Sequence, residues 1–270
     1  MTDQGVHRFD RLDHDRCCTE IIAQTDLLRA AVTGADPSVT CPTCPDWSIA
    51  DLLRHVGSAH RWAEAIVRTR ATAYLPPDQV PDDAPRGDDL AALDAWLAKG
   101  ATALAETLRA AGAKIPVWTW AEDQTVGFWA RRMAHETVVH RADGAIAAGA
   151  EYTVAPEVAA DAVDEWLDVL RQPNLRAVFP GLAKLRGPGR SLHLHATDTA
   201  PEAEAEWLIE LDEEGFAWRR AHGKASVALR APMTDLLLAF YRRLPVDGDR
   251  VEVLGDAAVL DFWLEHATFG

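Results

Sequence analysis

The stretch RRMAHETVVHRADG, residues 131–144, carries His135, Glu136 and His140 in an HExxxH pattern. Imidazoles and carboxylates brought together in this way are the ordinary ligands of zinc and related divalent ions. The pattern is one residue longer than the HExxH of zinc proteases, and the extra residue changes the geometry. A helix advances about 100° per residue, so residues four apart stack one above the other while residues five apart point away from each other. His135 and His140 therefore cannot pair on one ion from a single helix, whereas Glu136 and His140 can. They form a carboxylate–imidazole unit on the face also marked by Trp129 and Met133, where a buried carboxylate needs compensation.

Two side chains rarely hold a divalent ion, so a third ligand has to come from another helix. His55 is the best placed. In CPDWSIADLLRHVGSAHRWAEAIV it lies at the edge of the apolar stripe formed by Ile49, Leu52, Val56, Ala59, Ala63 and Ile66, and an inward imidazole needs a partner. Taken alone, such a histidine is more often a satisfied core residue, but a metal would satisfy His55, Glu136 and His140 at once. His60 reads as a boundary position, and His135 as a residue that supports a ligand from behind or faces solvent. Asp143, three residues beyond His140, either orients that imidazole or lies on the surface. Arg131, Arg132 and Arg141 flank the same helix, as contacts for an anionic substrate or as solvated charges. Trp47, Trp118, Trp120 and Trp129 are core residues or walls of a pocket. His193 and His195 in SLHLHATD share one strand face, a pair too small to make a site alone.

The elements that must position these groups follow from periodicity and punctuation. Residues 14–32 space apolar positions on one helical face and stop at Gly34 and Pro37. Ser48 and Asp51 form a capping-box pair that starts a helix over about 49–69. A proline-rich acidic loop at 75–88 precedes a third helix ending at Gly112; a fourth covers 126–148 and a fifth 156–171, with Pro156 in its first turn. RQPNLRAVFPGLAKLRGPGR is rich in proline and glycine and reads as the domain boundary. Beyond it SLHLHATD, EWLIELD, GFAWRRAH, ASVALRA and RVEVLG read as strands, and APMTDLLLAFYRRL and AAVLDFWLEHATF as helices. The expected architecture is a two-domain α+β chain: a four- or five-helix bundle over 1–172, a linker over 173–189 and a small α+β domain over 190–270.

Composition narrows the partners. With 270 residues and a formal net charge of −15, the chain is poorly suited to a phosphate backbone or to anionic lipid. The charged N-terminus has no apolar run and no segment is long enough to span a membrane, which suggests a cytoplasmic protein. The four cysteines fall in the first fifth of the chain, and a disulfide framework is not expected. Cys41 and Cys44, in CPTC, read as a metal or redox pair or, more simply, as a proline-containing turn before the second helix.

Two segments carry a resemblance. CPDWSIADLLRHVGSAHRW resembles the C-P-x-W-[ST]-[VI]-x-D-L-x-x-H-[LV] opening of the mycothiol-dependent maleylpyruvate isomerase family, a branch of the DinB-like helical bundles, and ARRMAHETVVHRADG resembles its A-H-E-x-x-x-H-R-x-D signature. The resemblance spans nearly the whole chain. It implies a zinc ion or other divalent metal on His55, Glu136 and His140, the same three residues that helix geometry selects, with open positions for water or a thiol. It implies mycothiol as cosubstrate, an electrophilic small molecule as substrate, and a functional arginine in the C-terminal domain, for which Arg230, Arg242 and Arg243 are candidates. Arg141 and Asp143 complete the HRxD part of the signature. Bundles of this type occur as monomers and as homodimers.

A free thiol is only roughly 3% ionised at neutral pH, while one coordinated to zinc is deprotonated. In an isomerase the thiolate adds to a conjugated cis double bond, the new single bond rotates, and elimination returns the trans isomer and the thiol. In an S-transferase the sulfur stays on the electrophile. A metal kept only for stability is the third reading, and a nearby Cys41 or Cys44 closing the coordination would favour it.

Overall fold

The structure is a computed structural model that describes residues 8–81 and 83–269. It separates into two compact units, residues 12–153 and residues 154–269 together with 8–11.

The first unit is the helical bundle. It contains α1 (His14–Val32), α2 (Ile49–Thr69), α3 (Leu90–Ala111) and α4 (Val126–Ala148). A short hairpin, β1 (Thr40–Cys41) and β2 (Cys44–Ser48), pairs Thr40 with Ser48 and Cys41 with Cys44. The CPTC stretch is thus the turn of a hairpin that leads into α2. There Ser48 Oγ accepts from the Asp51 amide at 3.2 Å and Asp51 Oδ2 accepts from the Ser48 amide at 3.1 Å, so the box that the sequence spells is formed and fixes the first turn.

Helix α1 packs on α3 and α4, and α2 packs on the same two helices. Ile21, Leu28, Leu52, Val56, Ile66, Leu97, Leu104 and Trp129 are sealed from solvent between them. Two glycines allow the close approaches. A Cβ on Gly57 would lie 2.0 Å from the Trp96 ring, and one on Gly144 would lie 2.5 Å from Leu28 Cδ1. Helix α4 has no polar face turned to water: Arg131, Arg132, His135, Thr137, His140, Arg141 and Asp143 are buried along with its apolar residues. The reading of the three arginines as solvated charges therefore does not hold, and every polar group on this helix has to be accounted for by partners.

The second unit starts earlier than the sequence suggests. It comprises α5 (Pro156–Leu170), α6 (Pro173–Val178), β3 (Ser191–Ala196), β4 (Glu206–Leu211), β5 (Phe216–Arg220), β6 (Val227–Ala231), α7 (Met233–Phe240), β7 (Glu252–Gly255) and α8 (Ala257–His266). The boundary lies near residue 153 rather than 172, because α5 is tied to the sheet and to α7. Asp164 on α5 accepts from Trp207 Nε1 at 2.6 Å and pairs with Arg220 at 2.8 Å, and the Tyr241 hydroxyl donates to the Ala162 carbonyl at 3.0 Å. The expected linker is also built in: it forms α6 and a short 3₁₀ turn, and Leu182 and Leu185 are fully buried.

The strand order is β5-β4-β3-β6-β7, with β3 and β6 parallel and the other pairs antiparallel. Alternation sends Leu192, Leu194, Ala196, Trp207 and Ile209 into the core and His193, His195, Glu206 and Leu208 to the other face. Among the described residues no helix is long and apolar enough to cross a membrane.

Candidate metal centre

Helices α2 and α4 run side by side, and the three residues expected to act together meet between them. His55 Nε2 lies 3.1 Å from Glu136 Oε1, and His140 Nε2 lies 3.3 Å from the same oxygen. The i, i+4 spacing on α4 places Glu136 and His140 on one face, as the helical repeat requires. The His55 and His140 rings meet edge to face with centroids 4.7 Å apart. Trp47, at the end of the hairpin, covers them, with its ring centroid 4.4 Å from that of His55 and 5.8 Å from that of His140.

The far side of His140 is fixed as well. Its Nδ1 is 2.8 Å from Asp143 Oδ2. Asp143 has no exposed side-chain surface, and it accepts from Thr43 Oγ1 at 2.5 Å and from Cys44 Sγ at 3.5 Å. The hairpin thus holds Asp143, and Asp143 holds the imidazole with Nε2 facing Glu136. Glu136 Oε2 is 3.3 Å from a guanidinium nitrogen of Arg132.

The electrostatics favour a cation. Burial disfavours charge on His140, but its contacts with Asp143, Cys44 and Glu136 outweigh that and hold its pKa well above the usual imidazole range. Burial likewise opposes ionisation of Glu136, yet His140, His55 and Arg132 keep its carboxyl well below the usual range. A site that draws a proton this strongly is one in which a divalent ion can replace it. Two imidazole nitrogens converging on one carboxylate oxygen fit such an ion, and three protein ligands leave a coordination position open. Cys44 groups with His140 and Asp143, not with His55 and Glu136, so the hairpin thiol lies on the supporting side of His140.

Two domain models account for most of the sequence. Residues 18–145 match the mycothiol maleylpyruvate isomerase N-terminal domain, and residues 157–262 match the C-terminal domain of the same proteins. The chain belongs to the mycothiol maleylpyruvate isomerase family. Among solved structures it is similar to a mycothiol-dependent maleylpyruvate isomerase, at 15% identity with a TM-score of 0.57, over 92% of this chain and 95% of that one. A histidine-to-alanine mutant of a mycothiol-dependent maleylpyruvate isomerase gives 14% identity and a TM-score of 0.58 over the same shares. At these identities the likeness is one of fold. No curated protein sequence matches the chain.

Against this family background the remaining expected residues fall in different places. Arg141 is buried with its guanidinium 4.1 Å above the Tyr152 ring and donates to the Thr153 carbonyl. Arg230, in the second unit, is paired to Glu252 at 2.7 Å, and Arg243 donates to the Tyr241 carbonyl at 2.8 Å. His60 is not at a boundary: it is fully buried, 2.9 Å from Thr137 Oγ1, and desolvation lowers its pKa to about 3. His135 is buried too and does not group with His55, Glu136 and His140. Trp129 belongs to the bundle core, and the half-buried Trp118 and Trp120 pack against it. Sequence reasoning missed Thr43, whose only signal was its place between two cysteines.

Proposed function

We propose that this protein is a metal-dependent enzyme that uses mycothiol to isomerise maleylpyruvate or a closely related conjugated electrophile. The observation that carries the proposal is the convergence of His55 Nε2 and His140 Nε2 on Glu136 Oε1, at 3.1 and 3.3 Å. Family membership supports the thiol and the substrate class, and the mixed nitrogen and oxygen donor set supports zinc. When bound, such an ion supplies a Lewis acid that ionises a coordinating thiol.

The side chains have separate tasks. His55 and His140 present their Nε2 lone pairs, and Glu136 adds a negative charge. Asp143 keeps the His140 proton on Nδ1, which fixes the tautomer that leaves Nε2 free. Trp47 covers one side of the two imidazole rings. Arg132 neutralises part of the charge on Glu136 and leaves the set suited to a divalent ion.

Metal content of the purified protein, beside that of His55→Ala and Glu136→Ala, tests the reading. We expect each substitution to lower the zinc bound by the wild type by about one equivalent while the circular dichroism spectrum persists. Turnover of maleylpyruvate with mycothiol is then expected for wild type alone. Accumulation of a stable mycothiol adduct instead of the trans isomer would replace isomerase by S-transferase chemistry. A zinc content left unchanged by both substitutions would overturn the site.

A further inference from the structure

We propose that the C-terminal unit holds a second metal ion, of the zinc class, on His193, His195, Glu206 and His222. The site lies wholly within that unit and does not depend on the function proposed for the bundle. His193 and His195 are two apart on β3 and so project from the same face of the sheet. Antiparallel pairing sets Glu206 of β4 directly opposite His195. The Ala221 amide donates to the Glu206 carbonyl at 3.1 Å, which continues the ladder past β5 and delivers His222 to the same spot.

The side chains converge on one point. His193 Nε2, His195 Nδ1 and His222 Nδ1 lie 2.7, 2.9 and 2.7 Å from a single atom, Glu206 Oε2. A carboxylate oxygen has about two lone-pair directions, so it cannot accept three good N–H bonds at once. Hydrogen bonding alone therefore leaves the arrangement underdetermined. A cation among the three nitrogens and the carboxylate satisfies all four groups together.

Ring geometry points the same way. The three imidazoles stand nearly perpendicular to one another, with interplanar angles of 86°, 89° and 78° and centroids 5.2–6.3 Å apart. They meet through their edges rather than stacking, as rings that share a central ligand do. The four ligand atoms lie within 4.8 Å of one another. The neighbouring cation on this face, Arg230, is already committed to Glu252.

Three imidazoles and one carboxylate select a borderline divalent ion over magnesium or calcium. Four protein ligands close a tetrahedral shell, so this ion clips the segment after β5 to β3 and β4 and leaves no position for a thiol.

The test uses the full chain. In a His55→Ala/Glu136→Gln double variant, loaded with zinc and passed through gel filtration, we expect about one equivalent of zinc to remain. Adding His195→Ala and His222→Ala should abolish it; the His222 side chain is 79% exposed, so its loss leaves the fold intact. Cobalt in the double variant should give the visible bands of a tetrahedral ion, and zinc should raise its melting temperature, with both effects lost in the quadruple variant. Absence of retained metal in the double variant, or retention unchanged by the added substitutions, would overturn the proposal. If His195→Ala/His222→Ala removes all the metal from an otherwise wild-type chain, the second site stands and the bundle site fails.

Discussion

Asp143 Oδ2 and His140 Nδ1 lie 2.8 Å apart in a place that solvent does not reach at the carboxylate. A buried carboxylate bonded to a ring nitrogen decides which tautomer the imidazole adopts, and hence which nitrogen is left for an ion. Asp143→Asn keeps the shape and removes the charge. Zinc affinity is expected to fall about 10–100-fold, as measured by chelator competition, while the secondary structure is unchanged.

Trp47 rests on His55 with ring centroids 4.4 Å apart. Its emission should therefore respond when the imidazole exchanges a proton for a metal. A fluorescence change on zinc titration is expected in the wild type and should be absent in Trp47→Phe, although that variant still binds zinc by mass spectrometry. An equal change in both would mean that the ion binds away from His55.

His60 supplies a pH dependence of stability that comes chiefly from its burial. Burial lowers its pKa to about 3, while an unfolded histidine titrates near 6.5. Between those values only the unfolded chain takes up the proton. The stability contributed by neutral His60 is thus complete above about pH 6.5 and is lost as the pH falls toward 3, with a slope of at most about 1.4 kcal/mol per pH unit. His60→Leu should flatten urea stability curves across that interval. Thr137 Oγ1 still donates to the Met133 carbonyl at 2.7 Å, so the variant leaves no new buried donor unpaired.

Gly57 sits where α2 meets the Trp96 ring of α3, and that ring cannot easily retreat. Arg61 lies 3.8 Å above it and Asp83 accepts from its Nε1 at 2.8 Å. Alanine at Gly57 gains helix propensity but forces a contact of 2.0 Å. A net loss of about 1–3 kcal/mol in unfolding free energy is expected, read by urea denaturation.

The meeting of His55, Glu136 and His140 was legible because its logic is local. Helical repeat alone pairs Glu136 with His140 and rejects His135, and the apolar stripe of α2 turns His55 inward. The histidine cluster of the second unit was not legible, since strand register brings Glu206 and His222 to His193 and His195 from distant parts of the chain. The boundary was misplaced for a related reason. The apolar spacing of α5 suits either unit, and only its pairing of Asp164 with Trp207 and Arg220 assigns it. Burial of the α4 arginines was hidden because a central helix that is buried on every side has no periodic polar face to read.

The capping box at Ser48 and Asp51 also limits how this chain can diverge. It fixes where α2 begins, and His55 is then the seventh helical residue. One insertion or deletion between them would turn the imidazole by about 100° away from Glu136. A chain that holds an ion there as proposed tolerates substitutions between Ser48 and His55 but no change in the number of residues.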